Sequence, residues 1–273
     1  MRTVYLGTST FAAAVLRRLA NSPHRPGLVI SRPDSPQGRG RRLQPPPVVV
    51  AAHELGLAVA QPGSLSEPGA LELIAAADPE FVCVCAYGEL IREPLLSRQP
   101  ILNVHPSLLP RWRGAAPIER AILAGDESTG VCIMRLTAGL DSGPVCLSER
   151  TPILPTDDYG SLAARLARLG GELLVRALDE QPECLAQDDG AATYAEKLEP
   201  GERRLDPAEA VQAQLRRVRA LSPHIGAYLE APDGSRLGVW EAQVRDGRLE
   251  PVTVQPAGGR RMAYADYLRG RRA

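Results

Sequence analysis

Several residue types are scarce in this chain of 273 residues. Aromatic side chains make up only 4% of it, and Lys197 is the only lysine, so arginine carries nearly all of the positive charge. The formal net charge is zero, which excludes a protein that binds nucleic acid through its overall charge. Because 44% of the residues are hydrophobic, the chain can bury a large aliphatic core, and a disordered or fibrous protein is also excluded.

Long apolar runs and metal-ligand spacings are missing as well. No run reaches the roughly 18 apolar residues of a membrane span, and no signal peptide precedes the first strand-like run, so we expect a cytoplasmic protein. The absence of Cys-x-x-Cys and His-x-x-x-His spacings predicts no metal site. The five cysteines are odd in number and lie mostly in apolar runs, which predicts reduced thiols rather than a disulfide framework; they are Cys83, Cys85, Cys132, Cys146 and Cys184.

Short apolar runs alternate with Ala- and Leu-rich helical stretches in the first half of the chain. Strands are predicted at residues 2–6, 28–31, 57–60, 81–86 and 101–104, and helices at residues 10–20, 48–55, 67–76 and 88–97. This alternation is typical of an α/β protein with a parallel sheet covered on both faces, whose active site lies beyond the carboxyl ends of the strands. The turn at residues 7–11 lacks two glycines of a dinucleotide-binding motif, so we expect no dinucleotide there.

The second half of the chain predicts a smaller, β-rich domain. An amphipathic helix at residues 159–178 closes the first domain, which we assign to residues 1–181, and a polar linker follows at residues 182–206. Residues 207–273 predict a helix at 207–221, strands at 225–230, 237–244 and 249–254, and a short final helix with a basic tail.

A long loop rich in Pro, Gly and Arg follows the second predicted strand. Residues 32–47 contain four arginines and one acidic residue, Asp34. Loops of this length in compact α/β domains are usually functional or disordered. The residues alone leave two interpretations open, a solvated basic linker or a loop that contacts phosphates.

Polar side chains stand where the strand at residues 101–104 ends. Asn103 and His105 alternate along the chain, so their side chains leave the same face. An amide beside an imidazole could stabilise an oxyanion and transfer a proton, although a capping Asn and a structural His would give the same pattern. Asp141 lies in a glycine-bounded loop and is either a turn residue or a partner of His105.

Longer motifs identify a family. Residues 103–118 (Asn-Val-His-Pro-Ser-Leu-Leu-Pro-Arg-Trp-Arg-Gly-Ala-Ala-Pro-Ile) closely resemble the signature of methionyl-tRNA formyltransferases. Residues 139–143 (Gly-Leu-Asp-Ser-Gly) resemble the downstream motif of the wider group of 10-formyltetrahydrofolate-dependent transferases. Residues 7–12, 32–42, 86–88, 193–198 and 254–262 are similar to that family in order and spacing.

The resemblance implies a Rossmann-like catalytic domain, a small OB-like barrel, and transfer of a formyl group from 10-formyltetrahydrofolate to the α-amine of methionyl initiator tRNA by a monomer without a metal. It implies catalytic roles for Asn103, His105 and Asp141. Contacts with the folate are implied for Ala86, Tyr87, Gly88, Ser107, Leu108, Leu109, Pro110, Gly139 and Leu140. Contacts with the tRNA acceptor stem are implied for Arg39, Gly40, Arg41 and Arg42.

Three departures from the family pattern leave other functions open. Arg32 stands where Gln is usual, and His224 and Ile225 stand in place of the Trp and the second Pro of the Pro-Trp-Pro-Gly motif. The chain is also shortened between Val244 and Val254, which predicts an incomplete barrel. The same donor could serve another acceptor, such as an aminosugar nucleotide. A non-catalytic paralogue that binds folate or tRNA, and a formyl-folate hydrolase, are the remaining alternatives.

Overall fold

The computed structural model describes residues 1–37, 42–230 and 234–272. The strands are β1 (Thr3–Gly7), β2 (Pro26–Ile30), β3 (Ser35–Gln37), β4 (Arg42–Gln44), β5 (Val59–Ala60), β6 (Phe81–Cys85), β7 (Ile101–His105), β8 (Arg113–Gly114), β9 (Ser128–Arg135), β10 (Val145–Pro152), β11 (Tyr194–Ala195), β12 (Ala227–Glu230), β13 (Arg236–Arg245), β14 (Arg248–Pro256) and β15 (Met262–Ala263). The helices are α1 (Thr10–Ala20), α2 (Pro47–Glu54), α3 (Pro68–Ala76), α4 (Leu95–Arg98), α5 (Pro117–Ala124), α6 (Tyr159–Glu180), α7 (Val211–Leu221) and α8 (Tyr264–Arg272).

The contacts divide the chain into two compact units whose ranges interleave. Unit 1 comprises Met1–Arg113, Gly130–Arg150 and Ala164–Thr193. Unit 2 comprises Gly114–Thr129, Thr151–Ala163 and Tyr194–Ala273. The boundaries predicted near residues 181 and 207 remain a proposal.

A seven-stranded sheet, ordered β10-β9-β7-β6-β1-β2-β5, forms the centre of unit 1. β7, β6, β1, β2 and β5 run parallel, and β9 pairs antiparallel with β7. Every residue of β1 and β7 is buried, as the continuous apolar runs predict for strands covered on both faces. The Rossmann-like α/β fold predicted from the sequence is confirmed.

Close packing of α6 against this sheet depends on glycine. A Cβ atom on Gly170 would lie 2.8 Å from Cγ1 of Val104 and 3.4 Å from Cγ1 of Val131. A larger residue at this position would therefore push the helix away from β7, the strand that carries Asn103 and His105.

The helix predicted at residues 88–97 is wrong. Of this stretch the structure has a helix only from Leu95, in the single turn of α4. Gly88 has a φ of +87° and Pro94 lacks a backbone donor, so the chain cannot continue a helix through either position. The carboxylate of Glu89 instead binds Arg32 at 2.5 Å and the hydroxyl of Ser64 at 2.6 Å.

The prediction that all five cysteines are reduced is also wrong. Cys146 and Cys184 form a disulfide across a sequence separation of 38 residues, whereas Cys83, Cys85 and Cys132 are free and buried. Backbone hydrogen bonds in both directions between Val145 and Leu185 place the two cysteines side by side. This pairing is non-local, so the spacing of the cysteines along the chain does not reveal it.

Unit 2 contains an antiparallel sheet of four strands in the order β12-β13-β14-β15. β13 and β14 are joined by Asp246 and Gly247, which have φ angles of +50° and +71°, and Arg245 pairs with Arg248. Positive φ angles at both central residues are typical of the shortest hairpin turns, so the shortened segment is closed tightly here. A small β-rich unit is therefore present, and the OB-like barrel remains a prediction.

In unit 2, His224 has a packing role that explains its departure from the family pattern. Its ring stacks on Tyr159 with 3.7 Å between centroids, and its Nε2 lies 3.1 Å from Oε1 of Glu119. An imidazole thus supplies both a flat face and a polar edge, as an indole would.

Within the described residues, no helix is long and apolar enough to cross a membrane. The same part of the chain holds no group of three or more His, Cys, Asp or Glu side chains arranged to bind a metal ion.

Candidate active site

β7 carries two polar side chains into the interior of unit 1. Asn103 is 8% exposed and His105 is 4% exposed. In the described ranges, no group makes a hydrogen bond to the side-chain amide of Asn103. The side-chain N and O of Asn103 are not among the fully buried polar atoms, so the amide stays accessible and can donate to an oxygen that arrives with a substrate.

The orientation of His105 is fixed by a backbone carbonyl. Nε2 lies 2.9 Å from the carbonyl oxygen of Trp112. Since a carbonyl only accepts, Nε2 carries the hydrogen and donates it. Nδ1 is then the nitrogen that can gain and lose a proton during a reaction.

Asp141 approaches this free nitrogen. Its Oδ2 lies 3.7 Å from Nδ1 of His105, and its side chain is 14% exposed. The distance is longer than a hydrogen bond, so the carboxylate acts on the ring mainly through its charge. Asp141 has a φ of +44°, an unfavourable backbone conformation for a residue with a side chain, and such residues cluster at functional sites. The structure therefore brings together the His and Asp that the sequence could not place in space.

The turn after β7 is held by its own hydrogen bonds. The hydroxyl of Ser107 is fully buried and donates to the carbonyl of Arg111 at 2.6 Å. The backbone N–H of Leu109 lies 3.3 Å from Sγ of Cys132. Burial raises the pKa of the Cys132 thiol to about 11, so the sulfur stays protonated at neutral pH. Ser107 thus shapes the turn that presents Leu108, Leu109 and Pro110.

The predicted folate-contacting turn after β6 has an irregular backbone. Ala86 and Gly88 have φ angles of +42° and +87°, and the hydroxyl of Thr8 donates to the carbonyl of Tyr87 at 2.7 Å. The Tyr87 ring belongs to a buried apolar cluster, against which Leu136 packs. Leu136 lies three residues before the predicted pterin loop at residues 139–143, so the segment that leads into this loop packs against the same cluster as Tyr87.

Tyr87 also carries a buried polar atom without a partner. Among the described residues, none makes a hydrogen bond to its hydroxyl. Burial raises the pKa of this hydroxyl to about 12, so it remains a neutral donor.

The two ends of the basic loop pair with each other. β3 and β4 pair antiparallel, with Gln37 opposite Arg42. Arg42 is exposed, whereas Arg39, Gly40 and Arg41 lie outside the described residues. Arg32, the departure from the family pattern, binds Glu89 within the domain.

Two residues with a structural part in this site were not predicted. Gln187 donates from Nε2 to the carbonyls of Asp141 and Gly143, and Arg113 donates to Oε1 of Gln187. Arg113 lies inside the quoted motif, but Gln187 falls in the stretch predicted as a polar linker. No local sequence pattern marks it, since its partners lie more than 40 residues earlier in the chain.

Comparisons with known proteins show the family of the chain. The family model described as formyl transferase matches residues 1–178. A methionyl-tRNA formyltransferase from Halorhodospira halophila is 45% identical over 305 aligned positions, which cover 99% of this chain and 96% of that protein.

Two solved structures share the fold. A methionyl-tRNA formyltransferase from Clostridium thermocellum has a TM-score of 0.69 at 14% identity, covering 94% of this chain and 98% of that one. HypX from Aquifex aeolicus in complex with tetrahydrofolic acid has a TM-score of 0.70 at 15% identity, covering 98% of this chain and 47% of that one. On the family match and the identity to the Halorhodospira protein, the chain belongs to the formyl transferase family.

Proposed function

We propose that this formyltransferase moves the formyl group of 10-formyltetrahydrofolate to the α-amine of methionyl initiator tRNA, which gives N-formylmethionyl-tRNA for translation initiation. The observation that carries the proposal is the approach of Asp141 to His105, 3.7 Å apart, beside the unpartnered amide of Asn103. The full-length similarity to the Halorhodospira methionyl-tRNA formyltransferase supports the choice of acceptor.

Asn103 meets the main electrostatic demand of the reaction. Attack of a neutral amine on the formyl carbon places negative charge on the formyl oxygen, and the Asn103 amide donates a hydrogen bond to that oxygen. Removing one donor of this kind typically lowers the rate by about 10²–10³-fold.

His105 meets the demand for proton transfer. The attacking nitrogen loses a proton, and the folate nitrogen that leaves must gain one. With Nε2 donating to Trp112, Nδ1 of His105 handles this proton directly or through a water. The carboxylate of Asp141, 3.7 Å from Nδ1, lies where it can stabilise positive charge that develops on the ring while the proton is transferred.

The residues around the site suit a folate donor. A pterin is flat, with several hydrogen-bonding groups on its edge, and it requires an apolar floor together with backbone donors and acceptors. The cluster around Tyr87 and Leu136 provides the floor, and the turn at residues 86–88 provides irregular backbone. Residues 107–110, 139 and 140 complete the proposed pocket.

A tRNA acceptor accounts for the basic features that a small acceptor does not need. In the basic loop of unit 1, we assign contacts with the acceptor stem to Arg39, Gly40, Arg41 and Arg42. In unit 2, the guanidinium of Arg236 lies 4.5 Å from the ring centre of Tyr228, and that of Arg261 lies 3.4 Å from the ring centre of Trp240. Arginines held over aromatic rings form a surface suited to an RNA backbone.

A panel of acceptors tests this proposal. Formyl transfer from 10-formyltetrahydrofolate is measured with methionyl initiator tRNA, with aminosugar nucleotides, and without an acceptor. We expect rapid transfer to the tRNA alone. Transfer only to the sugars would move the protein to another pathway, hydrolysis without an acceptor would make it a hydrolase, and folate binding without any transfer would make it a binding protein.

Arg39→Ala tests the role assigned to the basic loop. We expect weaker use of tRNA and a salt dependence of binding that is reduced by about one unit of slope, because one phosphate contact is lost. An equal loss of activity with a small amine acceptor would contradict the assignment.

A further inference from the structure

Residues 184–193, here named the strap, join the two loops of the candidate active site. At its start the strap is fixed to β10 by the Cys146–Cys184 disulfide and by the backbone pairing of Val145 with Leu185. At its end Thr193 accepts from the N–H of Trp112 through its hydroxyl at 2.9 Å and from the N–H of Arg113 through its carbonyl at 2.9 Å. The strap therefore contacts both the β10 side of the Asp141 loop and the turn that holds His105.

Gln187 lies in the middle of the strap and uses its whole side-chain amide. Nε2 donates to the carbonyl of Asp141 at 2.8 Å and to the carbonyl of Gly143 at 2.7 Å. Oε1 accepts from Nε of Arg113 at 3.0 Å. These three bonds connect the Asp141 loop to the residue that directly follows Trp112, whose carbonyl orients His105.

Arg113 is itself held in place. It is only 3% exposed, and its Nη2 lies 2.7 Å from Oδ1 of Asp189, another residue of the strap. A buried guanidinium needs partners on several of its donors, and Gln187 and Asp189 supply two of them. The strap thus fixes Arg113, and Arg113 fixes the orientation of the Gln187 amide.

The Asp141 loop requires such support. The φ of +44° at Asp141 is unfavourable, and it persists only when surrounding contacts hold the backbone. The two carbonyls that Gln187 binds belong to Asp141 itself and to Gly143, two residues further on. Loss of these bonds would let the loop backbone relax, and the carboxylate would then move away from its position 3.7 Å from Nδ1 of His105.

We propose that Gln187 is a positioning residue. Its hydrogen bonds to two backbone carbonyls hold Asp141 close to His105, and Arg113 fixes the orientation of the Gln187 amide. This inference rests on the proposed function, because it gives Asp141 a part in formyl transfer. Gln187 touches no substrate; it acts through the loop. Only an amide side chain of this length offers two carbonyls a donor while it accepts from Arg113.

The test replaces the donor and keeps the shape. Gln187→Glu turns Nε2 into an oxygen facing two carbonyls, and it retains the acceptor for Arg113. We expect kcat for methionyl initiator tRNA to fall by about 10²-fold, as for a small misplacement of catalytic groups. KM for the tRNA and for the folate donor should stay within about twofold, because the substrate contacts are untouched. Gln181→Glu makes the same chemical change at an exposed position before the strap and should behave as wild type.

Two further variants keep the outcomes distinct. Thermal unfolding shows whether Gln187→Glu folds. If it does not, Gln187→Met, which has a similar length and no charge, is used to measure the effect of losing the amide on kcat. In an Asp141→Asn background, Gln187→Glu should cause little additional loss of kcat, since both changes act through the same carboxylate.

If Asp141→Asn alone leaves kcat unchanged, the proposed site is wrong. If Asp141→Asn lowers kcat while a folded Gln187 variant matches Gln181→Glu, the site stands and the role of Gln187 is refuted. If Gln187→Glu lowers kcat by the same factor in the Asp141→Asn background as in the wild type, the two residues act independently and the proposal is contradicted.

Discussion

In unit 1 the side chains proposed to react are almost fully buried, whereas unit 2 presents arginines on and beside its sheet to solvent. Asn103 and His105 are 8% and 4% exposed, but Arg236, Arg248 and Arg261 are exposed. Proton transfer and charge stabilisation need few groups at fixed distances in a dry setting. Binding a long polyanion needs charge spread over an accessible area. The contrast is the one expected if buried loops of unit 1 carry the proposed chemistry and the exposed arginines of unit 2 make the proposed RNA contacts.

From this contrast we predict that a substitution in the buried site lowers the rate of formyl transfer and leaves substrate binding unchanged. His105→Ala should lower the single-turnover rate by about 10²–10⁴-fold, the usual contribution of general acid–base catalysis. Binding of the folate donor and of tRNA should be unchanged, because the variant removes neither surface. Isothermal titration for binding and quenched-flow for transfer measure the two separately. A parallel loss of folate binding would contradict the separation of catalysis from binding.

Stability, rather than chemistry, should depend on the disulfide. Cys184→Ser opens a crosslink spanning 38 residues, and the chain-entropy relation predicts a loss of about 4 kcal/mol in the free energy of unfolding. Denaturant titration with and without a reductant measures this loss. Reductant should destabilise the wild-type protein and leave Cys184→Ser unchanged. A wild-type protein insensitive to reductant would show that the bond is absent in solution.

We expect the smallest effect from substitutions of exposed arginines in unit 2. The double variant Arg236→Ala, Arg261→Ala should weaken tRNA binding and reduce the slope of its salt dependence by up to about two units, one for each phosphate contact. The rate of transfer at saturating tRNA should be unchanged. Arg245→Ala, on the same sheet but at its hairpin end, is the matched control. If the control changes the slope as much as the double variant, the proposed surface is not specific.

The sequence predicted the parts of the fold that local patterns determine. α1 was predicted at residues 10–20 and is observed at Thr10–Ala20, and α6 is two residues longer than its prediction. β6 is an apolar run, and buried strands are recognised by such runs. The Asn103 and His105 side chains could be placed on one face because strand residues alternate.

Other features depend on contacts between residues far apart in the chain. The helix expected at residues 88–97 is prevented by backbone at Gly88 and Pro94, and by the pairing of Glu89 with Arg32. The Cys146–Cys184 bond and the hydrogen bonds of Gln187 both depend on the return of the chain after α6 to the start of β10. Periodicity carries no information on such pairings. The sequence likewise left two roles open for Asp141, a turn residue or a partner of His105, because the distance between the two side chains depends on the fold.

The measurement that tests the central claim most directly is a single-turnover assay with enzyme in excess over methionyl-tRNA. Transfer from 10-formyltetrahydrofolate is followed for initiator and for elongator methionyl-tRNA. We predict fast formylation of the α-amine of the initiator and much slower formylation of the elongator, with the shortened unit 2 still sufficient for recognition. Absence of transfer to the initiator tRNA by a folded protein that binds the folate would contradict the account.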